Sequence, residues 1–175
     1  LSQAIESILD QSYRNFEIVL VDDGSTDGSR DIIRRYVDSD TRIVGTFNEQ
    51  RLGPGGASNV GLVMAKGDLL ARLDADDIAL PGRLATQVAA FIADPELVFL
   101  SGVSICLDDK GSVGQIINQP LPDSELPAVL LSQNPVIHST LMVRPLYIEG
   151  KQIAYPEWKS AIDYGYYCAY LLSGG

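Results

Sequence analysis

Phe16-Glu17-Ile18-Val19-Leu20-Val21-Asp22-Asp23-Gly24-Ser25 joins a short apolar, β-branched run to an acidic turn. Glu17 to Val21 is too short for a helix and unbroken by polar residues, so it reads as a buried strand. Asp22 to Gly28 follows at once and is turn chemistry, rich in helix-capping side chains. Upstream, Ala4, Ile5, Ile8 and Leu9 form the apolar stripe of a helix that ends near Gln11 and Ser12. Downstream, Ile32, Ile33, Tyr36 and Val37 repeat that stripe, and Arg42 to Phe47 reads as a second strand. Gly53-Pro54-Gly55-Gly56 reads as a break, and Ala57 to Lys66 as a helix closed by Gly67. Asp68 to Leu73 reads as a third strand running into Asp74-Ala75-Asp76-Asp77. Pro81 suits the first turn of a helix reaching Ala93, and Leu97 to Cys106 reads as a fourth strand.

Helix and strand alternate throughout this stretch, which argues for an α/β fold with a mostly parallel, Rossmann-like sheet flanked by helices. Beyond residue 106 the pattern loosens. Asp108-Asp109-Lys110-Gly111 predicts a hairpin into Val113 to Ile117. Pro120, Pro122 and Pro127 mark an irregular connection with a short helix over Leu126 to Leu131. Ser139 to Val143 predicts a strand, and Ala161 to Ser173 the last helix.

The 175 residues suit one domain, with a regular half over 1–105 and a looser half over 106–175. Apolar residues at 46% and charged residues at 21% are globular values and exclude bulk disorder. The net charge of −10 argues against nucleic acid as a partner, since phosphate neutralisation needs clustered Lys and Arg. No run approaches the ~18 apolar residues of a membrane span. Cys106 and Cys168 do not make a disulfide framework and read as small core residues, with a reducing, cytoplasmic compartment expected. The sequence opens inside a helix without Met, which reads as a segment of a longer protein.

Two acidic clusters, Asp22-Asp23 and Asp74-Ala75-Asp76-Asp77, directly follow apolar strands. In a parallel sheet the carboxyl ends of the strands share an edge, and ligands bind in the crevice there. Carboxylates gathered in one crevice favour a hard divalent cation, which usually keeps waters and binds substrate phosphates too. The other reading is that Asp22, Asp23 and Asp77 cap helices.

The run Phe16 to Ser25 resembles the nucleotide-binding signature of inverting family-2 glycosyltransferases. So does the ordered set Asn48, Gly53, Asn59-x-Gly61, Ala65-Lys66-Gly67-Asp68 and Asp74-Ala75-Asp76-Asp77. The resemblance covers about residues 1–105, and is looser through Asn134-Pro135-Val136-Ile137-His138-Ser139-Thr140 and Ala161-Ile162-Asp163-Tyr164. It implies the GT-A fold and sugar transfer from a nucleotide-sugar donor, UDP-linked, to a saccharide or lipid-linked acceptor in cell-envelope or exopolysaccharide synthesis. It implies Mg²⁺ or Mn²⁺ as cofactor, and peripheral attachment at the inner face of the membrane through parts outside this chain.

By the same resemblance, Asp23 reads the uracil ring with Asp22 beside it, and Gly53 and Asn59 belong to the nucleotide site. Asp74 contacts the ribose or the metal shell, and Asp76 is the metal ligand that bridges to the diphosphate. Asp74 and His138 are further candidate ligands, and His138 equally suits a structural role. Asp163 corresponds to the catalytic base, although Ile162 stands where relatives carry Glu; as an Asp opening a helix it also suits an N-cap. Arg72 and Lys66 flank the acidic strand end, where they either screen diphosphate or face solvent. Trp158, Tyr155, Tyr164, Tyr166 and Tyr167 suit either an acceptor-sugar platform or ordinary core and surface. The family's first strand, which precedes the opening helix, is missing from the sequence.

Two alternatives share part of the pattern. A phosphoacceptor signalling domain also places an acid pair after a strand but leaves the Asp-x-Asp unexplained. A non-catalytic nucleotide-sugar-binding module agrees with Ile162 and the missing strand.

Overall fold

A computed structural model describes residues 1–108, 110–117, 122 and 124–172. The expected turn residue Asp109, the connection at Pro120 and the helix end at Ser173 lie outside the described residues.

The first half builds α1 (Ser2–Leu9), β1 (Ile18–Asp22), α2 (Ser29–Ser39), β2 (Ile43–Phe47) and α3 (Gly53–Met64). β1 and β2 pair in parallel, from Ile18 opposite Ile43 to Asp22 opposite Phe47. Gly45 lets α2 lie close on β2, because a Cβ there would meet Ile33 Cγ2 at 2.8 Å. α3 starts four residues before the expected Ala57, so Gly53-Pro54-Gly55-Gly56 is its first turn and not a break. Pro54 costs no hydrogen bond there, since first-turn N–H groups have no partner within the helix.

The chain continues through β3 (Leu70–Ala71), α4 (Arg83–Ala93), β4 (Phe99–Leu100), β5 (Ser104–Leu107) and β6 (Val113–Ile117). α4 begins after Gly82 at φ +81°, which places Pro81 before the cap and outside the first turn. The strand expected over Leu97–Cys106 divides in two. β4 pairs with a later strand, while β5 forms the expected hairpin with β6. Cys106 is exposed on that hairpin and Cys168 is half-buried, so neither is the core residue expected.

Next come α5 (Leu126–Leu130), a 3₁₀ turn (His138–Thr140), β7 (Met142–Val143), β8 (Tyr147–Ile148), β9 (Lys151–Gln152) and α6 (Ile162–Leu172). The Ser139–Val143 strand is thus half 3₁₀ turn. β7 lies between β3 and β4 and is antiparallel to both, so β3 and β4 run the same way. The β8–β9 hairpin was not expected. Glu149 at φ 51° and Gly150 at φ 79° form its two-residue turn, the left-handed pair that such hairpins favour.

The main core gathers Tyr155, Tyr166, Tyr167 and Tyr170 with Val136, Leu141, Val143 and Ile153. Tyr155 and Tyr166 stack at 4.2 Å between ring centroids. These tyrosines are therefore core, whereas Tyr164 is half-buried and Trp158 is 57% exposed. No described helix is long and apolar enough to cross a membrane.

Among the described residues, β1 pairs only with β2 and β3 only with β7. A cavity of ≈ 980 Å³ separates β1 from β3, lined by Ile18 to Val21 on one side, Leu69 to Leu73 on the other, and Leu1, Ile5 and Phe91. Two unpaired strand edges facing an apolar slot leave backbone donors and acceptors unmatched. Leu1 itself lines the slot, and a strand-forming segment joined ahead of it is expected to fill it. Such an extension is expected to raise the melting temperature, at ~2–4 °C for each ~1 kcal/mol gained. Thermal unfolding with and without the extension measures this, and an unchanged temperature would contradict it.

Candidate active site

The end of β1 builds the first part of the site. Asp22 is 3% exposed and takes a 2.6 Å ion pair from Arg30 Nε. It also accepts the backbone N–H groups of Gly24 and Ser25, at 3.2 and 3.3 Å. Burial opposes its charge, but the Ser25 and Arg30 bonds outweigh that and lower its pKa. Asp22 thus braces the turn that presents its neighbour.

Asp23 accepts Asn48 Nδ2 at 2.9 Å and the N–H groups of Leu52 and Gly53 at 2.8 Å each. Burial again works against the charge, and these three bonds lower the pKa despite it. Asp23 therefore supplies the partners that the start of α3 lacks. Gly53 holds φ +79°, a left-handed conformation that favours glycine. Beside this loop lies an open pocket of ≈ 220 Å³, lined by Asp23, Gly24, Ser25, Thr26, Asp27 and Arg51. Arg51 was not singled out from the sequence; a lone cation in the loop after a strand, facing an acidic turn, was the available signal.

The second part follows β3. Arg72 Nε and Nη2 reach Asp74 Oδ1 at 3.1 and 3.0 Å, and the Asp74 N–H donates to Ser139 Oγ at 2.9 Å. Arg72 is thus tied to Asp74 and not simply solvated, whereas Lys66 is exposed. His138 Nδ1 is 3.9 Å from Asp74 Oδ1, and its Nε2 is 2.7 Å from the Tyr155 hydroxyl. Burial, aided by Arg72, pushes the His138 pKa down, which keeps the ring neutral at pH 7. Asp77 N–H closes the turn onto Asp74 O at 3.1 Å. Asp76 is exposed at the tip and makes no hydrogen bond or ion pair among the described residues.

The third part is the first turn of α6. Asp163 Oδ2 accepts Asn134 Nδ2 at 2.9 Å. Ile162 packs on the start of α3: its Cγ2 would lie 3.5 Å from a Cβ at Gly55, which gives an apolar reason for Ile at that place. Asn59 spends both ends of its amide on the Tyr155 backbone, at 3.0 and 2.8 Å. It joins α3 to the segment before α6 and bears on the site through that placement.

The structure thus brings Gly53, at the start of α3, onto the Asp23 carboxylate beside Asp22, and Asp74 and His138 into another cluster. Asp74 lies 3.9 Å from His138 Nδ1, and the charges of Asp74 and Asp163 both act on His138, Tyr155 and Tyr167. Among the described residues, no three His, Cys, Asp or Glu side chains form a ready metal cage. Asp76 is uncommitted and Asp74 part-exposed, so these are the carboxylates that could hold a Mg²⁺-like cation, a type of ion held by one or two carboxylates with phosphates and water completing the shell.

The profile of Glycosyl transferase family 2 matches residues 1–149. An uncharacterized glycosyltransferase of Haemophilus influenzae is 40% identical over 112 residues, covering 64% of this chain and 44% of that protein. A Bacillus subtilis protein that carries the name glycosyltransferase EpsE is 33% identical over 147 residues, covering 82% of this chain and 51% of its own length. The chain thus spans about half the length of the curated relatives it matches. Among solved structures, S. aureus TarS 1-349 in complex with UDP-GlcNAc superposes with a TM-score of 0.65 at 24% identity, over 94% of this chain and 47% of that one. The Pyrobaculum calidifontis mannosyltransferase PcManGT, in complex with GDP-Man and Mn²⁺, gives 0.65 at 22% identity, over 94% and 46%. The fold is that of the GT-A glycosyltransferases.

Proposed function

Because this chain belongs to glycosyl transferase family 2, we propose that the whole protein is a metal-dependent, inverting glycosyltransferase. It moves a sugar from a UDP-linked donor to an acceptor hydroxyl in cell-envelope or exopolysaccharide synthesis. The observation that carries this reading is the uncommitted Asp76, with Asp74, after β3 in a chain where Asp23, after β1, and Arg51, between β2 and α3, line one open pocket. Solved structures of the same fold hold UDP-GlcNAc, or GDP-Man with Mn²⁺, which supports it.

Asp23 already accepts three hydrogen bonds. A carboxylate offers about four acceptor sites, so one remains for the N3–H of uracil. Asp76 and Asp74 would hold Mg²⁺ or Mn²⁺, and a bound cation supplies Lewis-acid stabilisation of the leaving diphosphate. Asp163 takes the proton of the acceptor hydroxyl, whose oxygen attacks the anomeric carbon as the bond to the diphosphate breaks. A single displacement inverts that carbon and needs no covalent sugar–enzyme intermediate.

Calorimetry of UDP with the whole protein, with Mn²⁺ and with EDTA, tests the donor side. Affinity is expected to fall about tenfold or more in EDTA, ~1.4 kcal/mol or more. Equal affinity in both would remove the metal bridge.

A further inference from the structure

Asp163 makes no hydrogen bond to a backbone N–H of α6 among the described residues, so helix capping does not account for it. Its one hydrogen bond there comes from Asn134, 29 residues earlier, and leaves Oδ1 without a partner. Asn134 is held from its other end, because its Oδ1 accepts the Val136 N–H at 3.1 Å. A flipped amide would lose that bond and turn an acceptor toward the carboxylate, so the NH₂ is aimed at Asp163. Pro135 restricts the backbone of Asn134 to extended conformations. Val136, 6% exposed, anchors the segment in the core. The Tyr164 hydroxyl ties the first turn of α6 to the same stretch through Leu130 O.

The backbone on the other side is constrained as well. Ala161, directly before α6, stands at φ +53°, a left-handed conformation that costs a non-glycine residue energy. It persists because its carbonyl accepts the Gly165 N–H at 3.0 Å and because Ile162 and Pro156 pack on Gly55.

We propose that Asn134 is a positioning residue for Asp163. Its amide fixes Oδ2 and presents Oδ1 to the acceptor hydroxyl. This rests on the reading of Asp163 as the base. A carboxylate free to turn about its last torsion would spend less time in line with the proton it must take, and misplacement of this kind costs up to about 10²-fold in rate.

The test uses the whole protein with a UDP-sugar, reading kcat and donor KM from UDP release. Asn134→Ala is expected to lower kcat ~10–100-fold and leave donor KM nearly unchanged. Asn134→Asp, of the same shape, should also lower kcat, because it places an acceptor and a like charge where the donor stood. In an Asp163→Asn background, Asn134→Ala should cost nothing further, since residues acting as a unit are non-additive. An unchanged kcat in both Asn134 variants, or equal losses with and without Asp163, would overturn the positioning role while leaving the base in place. A wild-type rate in Asp163→Asn alone would instead overturn the base, and the positioning role with it.

Discussion

Asp163→Asn in the whole protein is expected to slow sugar transfer ~10²–10⁴-fold while donor affinity stays nearly unchanged. The substitution keeps the side chain's shape but removes its capacity to take a proton. At ~1.4 kcal/mol per tenfold, this is roughly 3–5 kcal/mol of barrier. Donor affinity should survive because the contacts proposed for the nucleotide and the cation come from the ends of β1 and β3, and Asp163 lies on α6. The measurement is UDP-sugar affinity by calorimetry beside the transfer rate. A near wild-type rate would return Asp163 to a structural role and move the search to other acids of the same segment, Glu157 and Glu149.

Asp76→Asn should show the opposite division of effects. Its carboxylate is exposed and uncommitted, so the substitution breaks no ion pair of the fold and the melting temperature should hold. Surface changes of that kind are usually within about ±0.5 kcal/mol. The loss of a charged oxygen ligand should weaken Mn²⁺-linked UDP affinity by about tenfold or more, ~1.4 kcal/mol or more. Transfer at low donor concentration falls with it. Asp74→Asn is not an equivalent test, because it also releases Arg72, which is bonded to Asp74 at 3.0 Å. If Asp76→Asn binds UDP with Mn²⁺ as the wild type does, the cation is held elsewhere.

The regular half of the fold was legible because its elements are local. The apolar stripe of α2 and the unbroken run in β1 need no distant partner to be read. The start of α3 was misplaced because Gly53-Pro54-Gly55-Gly56 breaks a helix on propensity alone. What stabilises that turn is Asp23, whose oxygen lies 2.8 Å from Gly53 N across 30 residues of chain. The division of the fourth strand depends on β7, whose pairing with β4 joins residues far apart in sequence. Cys106 follows from the same division, since β5 leaves the sheet for an exposed hairpin.

The candidate site was legible in its acids and less so in their partners. Asp22, Asp23, Asp74 and Asp76 stand out because apolar strands end at them. Whether each is free or committed depends on Arg30, Asn48, Arg72 and Ser139, and no spacing rule links Ser139 to Asp74 across 65 residues. Asn134 belongs to a stretch that the sequence singled out, but its bond to Asp163 exists only once α5 and α6 are packed.

The most direct measurement is UDP release from a UDP-sugar by the whole protein, comparing wild type, Asp76→Asn and Asp163→Asn at low and at saturating donor and Mn²⁺. Metal-held donor and carboxylate base predict that Asp76→Asn recovers a large part of its rate at saturation, whereas Asp163→Asn stays slow at both. Recovery of Asp163→Asn by added donor, or wild-type rates in both variants, would contradict that division of roles.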